Sequence, residues 1–279
     1  MGAADGIWLR LPCRETRLSG RVMVSDGTVT PGEIVDEGPD FLPEARIPTP
    51  NWLALPEHEF QELHSIPSTA GRGTVIRIFT VPDDVIEPFQ RQHARDAAAS
   101  WNGAGALREP GYDAAERDAL PYIRSIASSP DELSFLGREV RRPGQVTTTI
   151  DERMGKRVGM HLDSWDGWDP ADLDARHRCR TRLSINLGQV PRYLLFMRIP
   201  RAAIQRKEHD EMVALGPTRL LQSFLLSHPH LPVYRLAIRP GEAYIAPIEV
   251  MPHDSSTYGM RADDISLSAV GHFDPLAGG

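Results

Sequence analysis

Lysine is nearly missing from this chain: Lys156 and Lys207 are the only two, and every other basic residue is arginine. We read that bias as codon usage in a GC-rich genome rather than as recognition chemistry. With 38 acidic against 31 basic side chains the formal charge is −7, so no basic surface argues for a nucleic-acid partner. Cysteine is equally scarce. Cys13 and Cys179 lie far apart with no CxxC spacing, which gives no support to a disulfide framework or a zinc knot and suits a reducing cytoplasm. No stretch approaches the roughly 18 apolar residues of a membrane helix, so no membrane partner is expected. The opening MGAADGIWLRLPCRE lacks the basic and apolar regions of a secretory signal, so none is expected there. Gly71-Arg72-Gly73 has no later glycine, lysine and hydroxyl, so there is no phosphate loop, and no G-x-S-x-G elbow occurs.

What remains is 279 residues, 41% hydrophobic and 25% charged, the balance of a soluble globular protein. Residues 1 to about 72 are rich in turn formers (SDGTVTPGE, DEGPDFLPEARIPTPN, STAGRG) and read as a lead-in with a short strand near Gly20–Ser25. The β-branched run Thr74–Val81 predicts a strand. Pro82-Asp83-Asp84 then opens a helix to about Ser100, its acids suiting a helix N-terminus. Ala115, Leu120, Ile123 and Ile126 form the apolar stripe of a second helix, Asp113 to about Ser128.

From about Gln145 the pattern changes to short strand-like runs. They are VTTTID, KRVGMHLDSW, RTRLSINLG, RYLLFMRI, VYRLAIR, EAYIAPIEV and DISLSAVGHF, with one helical segment at Thr218–Ser227. The expected architecture is α+β and a single domain over 1–279. Residues 1–144 would be an irregular and helical lead-in, and residues 145–279 a jelly-roll or barrel core.

His161-Leu162-Asp163 ends one of these runs. Residues two apart on a strand share a face, so His161 and Asp163 project together. A third donor from a later strand would complete the two-histidine, one-carboxylate face that holds Fe(II) with three positions open. His177 and His209 sit in charged runs, His228 and His230 flank Pro229, and His272 is late in the chain. His253 follows a Pro240-Gly241 turn, a short strand and Pro247, which makes it the candidate. Trp165 and Trp168 either wall a substrate pocket or simply pack. Arg182, Ser184 and Asn186 alternate with Leu183, Ile185 and Leu187, giving a polar row that is either exposed or cavity-lining. Arg192 reads as a surface turn residue, and Tyr244 as one more often directed outward.

Gly159–Phe273 resembles the core of the Fe(II)/2-oxoglutarate-dependent oxygenases, which share a double-stranded β-helix and an HxD…H triad. The resemblance covers somewhat under half the chain. It implies that His161, Asp163 and His253 bind Fe(II), that 2-oxoglutarate chelates the metal, and that O₂ is the oxidant. The acidic balance and the lack of a nucleic-acid patch favour a small-molecule substrate, such as an amino acid or specialised metabolite. A carboxylate at Asp163 favours hydroxylation or desaturation, since halogenating relatives carry Gly or Ala there. Many members place Arg or Lys about ten residues after the distal histidine; here Arg261 comes eight after and is the expected 2-oxoglutarate anchor. Ser266 and Ser268 could add a hydroxyl contact, and Arg182 is the rival anchor. Two other readings stand beside this one: a cupin-like metalloenzyme that uses no 2-oxoglutarate, and a metal-free jelly roll that binds a small ligand.

Overall fold

The computed structural model describes residues 6–12, 20–34, 40–98, 110–165, 167, 180–208 and 210–276. Cys13, Trp168, His177, Cys179 and His209 lie outside them. In the N-terminal half the elements are β1 (Trp8–Arg10), β2 (Val22–Ser25), β3 (Thr28–Val29), β4 (Phe41–Pro48), β5 (Leu53–Ala54), α1 (Glu57–His64), β6 (Val75–Thr80), α2 (Asp83–Ala98), α3 (Pro110–Ile126) and β7 (Ser134–Arg141). Then come β8 (Ile150–Asp151), β9 (Lys156–Gly159), β10 (Thr181–Asn186), β11 (Arg192–Phe196), α4 (Arg201–Gln205), α5 (Asp210–Val213) and α6 (Pro217–Ser227). The chain closes with β12 (Val233–Ile238), β13 (Glu242–Ala246), β14 (His253–Ser256) and β15 (Asp264–Gly271). The protein is α+β, with sheets that mix parallel and antiparallel pairs.

Period-two alternation in β10 explains how the layers stack. Leu183 and Ile185 face α2 and α3, meeting Phe89, Tyr112 and Ile123 in one dry cluster. The alternate residues of the same sheet, whose order is β1-β6-β13-β10-β15-β7, face the other way. There Ile76, Ile78, Tyr244 and Val270 pack on Leu194, Phe196 and Leu236 of the second sheet, β14-β11-β12-β2-β5. From β10 onward the chain passes between the sheets: β10, β13 and β15 join the first, while β11, β12 and β14 join the second. That exchange is compatible with a jelly roll.

The strand-like runs of the C-terminal half all contain strands, although only Ile150 and Asp151 of VTTTID become one. The N-terminal half differs from the expectation in one respect. It is not only a lead-in, because β1, β6 and β7 complete the first sheet and β2 and β5 the second. β4 forms within a segment whose prolines read as turns. It is tolerated because Pro43 lies in the irregular stretch between the two parallel pairings to β9, Phe41↔Arg157 and Arg46↔Gly159, and Pro48 ends the strand, where Thr28↔Pro48 and Val29↔Ile47 join it antiparallel to β3.

Candidate metal centre

The first sheet holds the apolar layers apart, and the ends of β9 and β14 meet at one point. His161 and His253 form an isolated antiparallel bridge. Each backbone N–H donates to the other residue's carbonyl, at 3.1 Å from His161 and 2.9 Å from His253. Residues directly opposite in such a pair project side by side, and the two imidazole rings have centroids 4.5 Å apart. Asp163 lies two residues on, its backbone N–H donating to Ile248 O at 3.1 Å. One donor atom from each of His161, Asp163 and His253 lies within 4.8 Å of the others. His161 Nε2 is 3.4 Å from Asp163 Oδ1, and His253 Nε2 is 3.9 Å from Asp163 Oδ2. Both histidines are buried.

The ring orientations fit a metal. Each histidine places Nδ1 3.0 Å from the carbonyl oxygen two residues before it, Gly159 O for His161 and Met251 O for His253. A carbonyl only accepts, so both Nδ1 atoms carry a proton and both Nε2 atoms are turned toward Asp163. That is how histidine ligands are held in metalloproteins. Asp254 adds a carboxylate behind His161, with Oδ2 3.6 Å from its Nδ1. Asp254 is itself fixed: its Oδ1 accepts from the backbone of Thr148 and Thr149 at 3.2 Å and from Thr149 Oγ1 at 3.0 Å.

Electrostatics agree with a place suited to a cation. Burial opposes charge on His161, but hydrogen bonds to Asp163 and Asp254 overcome it and push its pKa up to about 10. His253 is lowered to about 4 by burial and by the charge of His161. Burial also opposes charge on Asp163 and Asp254, yet the His161 contact holds both below the usual carboxylate range. In effect a proton on His161 stands where a divalent ion would neutralise the acids.

Further groups aim the ligands. Trp165 Nε1 donates to Asp163 Oδ2 at 2.9 Å, and Arg182 Nη2 reaches the same oxygen at 3.4 Å. The Trp165 backbone N–H in turn donates to Glu249 at 2.9 Å. Gly159 adopts φ +71°, and a Cβ there would lie 2.5 Å from Arg46 O on β4. Only glycine lets β4 approach so closely while presenting Gly159 O to His161. Outside the triad a cleft of about 770 Å³ reaches His161 and Asp163, walled by the β8–β9 hairpin and the start of α6.

The other expected residues distribute as follows. Arg182 is half-buried beside the triad. Ser268 is buried against Ser184, the hydroxyls 2.9 Å apart. Ser266 is buried as well, whereas Arg261 is exposed in the turn before β15. The polar row of β10 faces the interior: Ser184 and Asn186 are fully buried, and Asn186 ties the Val190 and Ile238 carbonyls together. Among the other described histidines, His228 stacks on Phe224, and His272 pairs with Glu132 at 3.3 Å.

Two expectations need correction. Arg192 is not a surface residue, because it is buried between the sheets. Its Nη1 donates to Ser184 Oγ at 2.5 Å, and its Nε lies 3.2 Å from Asp264. Tyr244 points inward, into the core between the sheets. Sequence reasoning also missed Asp254. Its position directly after His253 carries no signal, since its value depends on Thr148 and Thr149, reached only through the fold. Neither the protein-family models nor the curated protein sequences give a match to this chain.

Proposed function

We propose that the protein is a non-haem Fe(II)/2-oxoglutarate-dependent oxygenase that hydroxylates or desaturates a small molecule on a jelly-roll core. The observation that carries this reading is the buried His161–Asp163–His253 group. Its two imidazoles each turn Nδ1 to a backbone carbonyl and Nε2 to one carboxylate. Two imidazoles and one carboxylate suit Fe(II) and leave part of its coordination sphere for other ligands. When bound, iron and 2-oxoglutarate supply oxidative decarboxylation coupled to oxidation of a substrate C–H bond by O₂.

The chain's own residues have definable parts. His161, Asp163 and His253 hold the metal. The carbonyls of Gly159 and Met251, with Asp254, fix the rings. Trp165 and Arg182 restrain the Asp163 carboxylate so that one oxygen stays turned to the histidines. We take Arg182, on the interior face of β10 and only 3.4 Å from Asp163 through one nitrogen, as the partner for the carboxylate of 2-oxoglutarate, which needs a cation in a dry setting. The exposed Arg261 lacks that dryness. Arg192 has its charge committed to Asp264.

The test is an anaerobic Fe(II) titration with 2-oxoglutarate, followed by exposure to O₂. We expect a weak visible charge-transfer band, and then slow succinate formation that is lost in His161→Ala and His253→Ala. Iron binding without the band and without succinate would move the protein to a metalloenzyme that uses no 2-oxoglutarate. No metal binding at all would sink both readings.

A further inference from the structure

The cleft outside the triad adjoins a second cavity of about 460 Å³, and the two share a wall of Pro43, Glu44, Leu215 and Arg219. The second cavity is largely apolar. Leu215 and Leu226 stand at it 49% and 67% exposed, two large aliphatic side chains turned to water at the same hollow. The shared wall, in contrast, carries one charge of each sign. Arg219 projects from the first turn of α6, and Glu44 from β4, which packs against that helix. Both are exposed, and neither has an ion-pair partner within 4 Å among the described residues, including each other. Elsewhere near the cleft charges do pair: Arg153 lies 3.8 Å from Asp151 on the same hairpin.

Two opposite charges that line one wall without closing on each other, beside an uncovered aliphatic hollow, make a complementary set. We infer that the cleft binds an amphipathic zwitterion: its ammonium meets Glu44, its carboxylate meets Arg219, and its apolar tail lies along Leu215 and Leu226. A simple anion would meet Arg219 but be repelled by Glu44, and a simple cation would meet the reverse. A short polar zwitterion would leave both leucines in water. This inference rests on reading the cleft as the substrate site, and it narrows the substrate class to an amino acid with a long aliphatic side chain.

The experiment is calorimetric titration of four probes, 2-aminodecanoate, decanoate, decylamine and alanine, into the Zn(II)-loaded protein and into protein stripped by a chelator. The first three probes share the tail and differ in the head, and alanine has the head without the tail. We expect 2-aminodecanoate to bind at least tenfold more tightly than each of the others. Arg219→Ala and Glu44→Gln should each abolish its advantage over one single-charge probe, and Leu226→Asp its advantage over alanine. Both charged positions are exposed, so these variants should fold as the parent does. Equal or tighter binding of decanoate or decylamine, no binding of any probe, or indifference to all three substitutions would overturn the inference. Because no turnover is read, the two proposals fail separately. Probe binding without 2-oxoglutarate consumption defeats the oxygenase reading alone, whereas consumption without zwitterion preference defeats this one alone.

Discussion

Asp254 Oδ2 lies 3.6 Å from His161 Nδ1, and the other oxygen of that carboxylate is held by Thr148 and Thr149. Asp254 thus connects the strand bearing the distal histidine to the segment that leads into β8, and it does so behind the proximal histidine rather than behind its own neighbour. A carboxylate behind a ligating imidazole raises its basicity and fixes its orientation. Losing such a partner typically weakens metal binding about 10- to 100-fold. For Asp254→Asn we expect a loss in that range, measured by competition with a chelator of known affinity. Unchanged affinity would mean that the Gly159 carbonyl alone suffices to set the ring.

Proton release should accompany metal binding. His161, with its pKa raised from 6.5 to about 10, is charged at pH 7, whereas His253, lowered to about 4, is already neutral. A group whose folded pKa is raised stabilises the metal-free fold fully below about 6.5, and that contribution is lost as pH rises through about 10. The metal must displace the same proton. Apparent affinity for Zn(II) should therefore climb about tenfold per pH unit between pH 7 and 9. Calorimetry in two buffers of different ionisation enthalpy should count about one proton released. A flat affinity profile would show that His161 is neutral before the metal arrives.

The two arginines offered by the sequence should separate cleanly. Arg182→Ala should weaken 2-oxoglutarate binding by about 2–5 kcal/mol, the cost of leaving a desolvated carboxylate unpaired. Arg261→Ala should alter it by less than about twofold, because an exposed arginine gives a well-screened contact. Each variant needs a check for retained metal, since Arg182 also touches Asp163. The reverse ranking would return the anchor to Arg261.

Arg192 and Asp264 form an ion pair with side chains only 3% and 1% exposed. Burial pushes the Asp264 carboxyl up even with Arg192 beside it, so the pair sits under strong desolvation. Removing one member strands the other. Asp264→Ala should destabilise the protein by about 3–5 kcal/mol, while a double Arg192→Leu, Asp264→Leu variant should recover much of the loss. Urea unfolding midpoints at constant slope would decide. A double variant as weak as the single would mean that the pair is needed for packing, not only for mutual neutrality.

Which parts of this were legible follows from range. The HxD spacing on a strand end and the Pro-Gly turn before His253 are local patterns, and the structure brings those three residues together. The alternation of β10 was legible as two faces, but not which of them the molecule buries, because α2 and α3 decide that. Arg192 looked like a turn residue since Pro191 precedes it; its partner Asp264 is a distant acid that only strand order brings near. β4 escaped notice because its prolines outweigh a short pairing, two register points to β3 and two to β9, and its importance lies in backbone proximity to Gly159 rather than in any side-chain pattern.

The bridge between His161 and His253, together with the approach of β4 to Gly159, has a consequence for how the protein is made. A chain leaving the ribosome presents Arg46 first, the HxD segment much later and His253 later still, and each needs the others to hold its place. Contacts of such sequence separation form slowly and only after most of the chain is available. During synthesis the nascent protein therefore has no finished metal pocket to offer. A metal that takes all three donors would therefore bind only after the segment carrying His253 has been made, and shorter chains would lack the third donor.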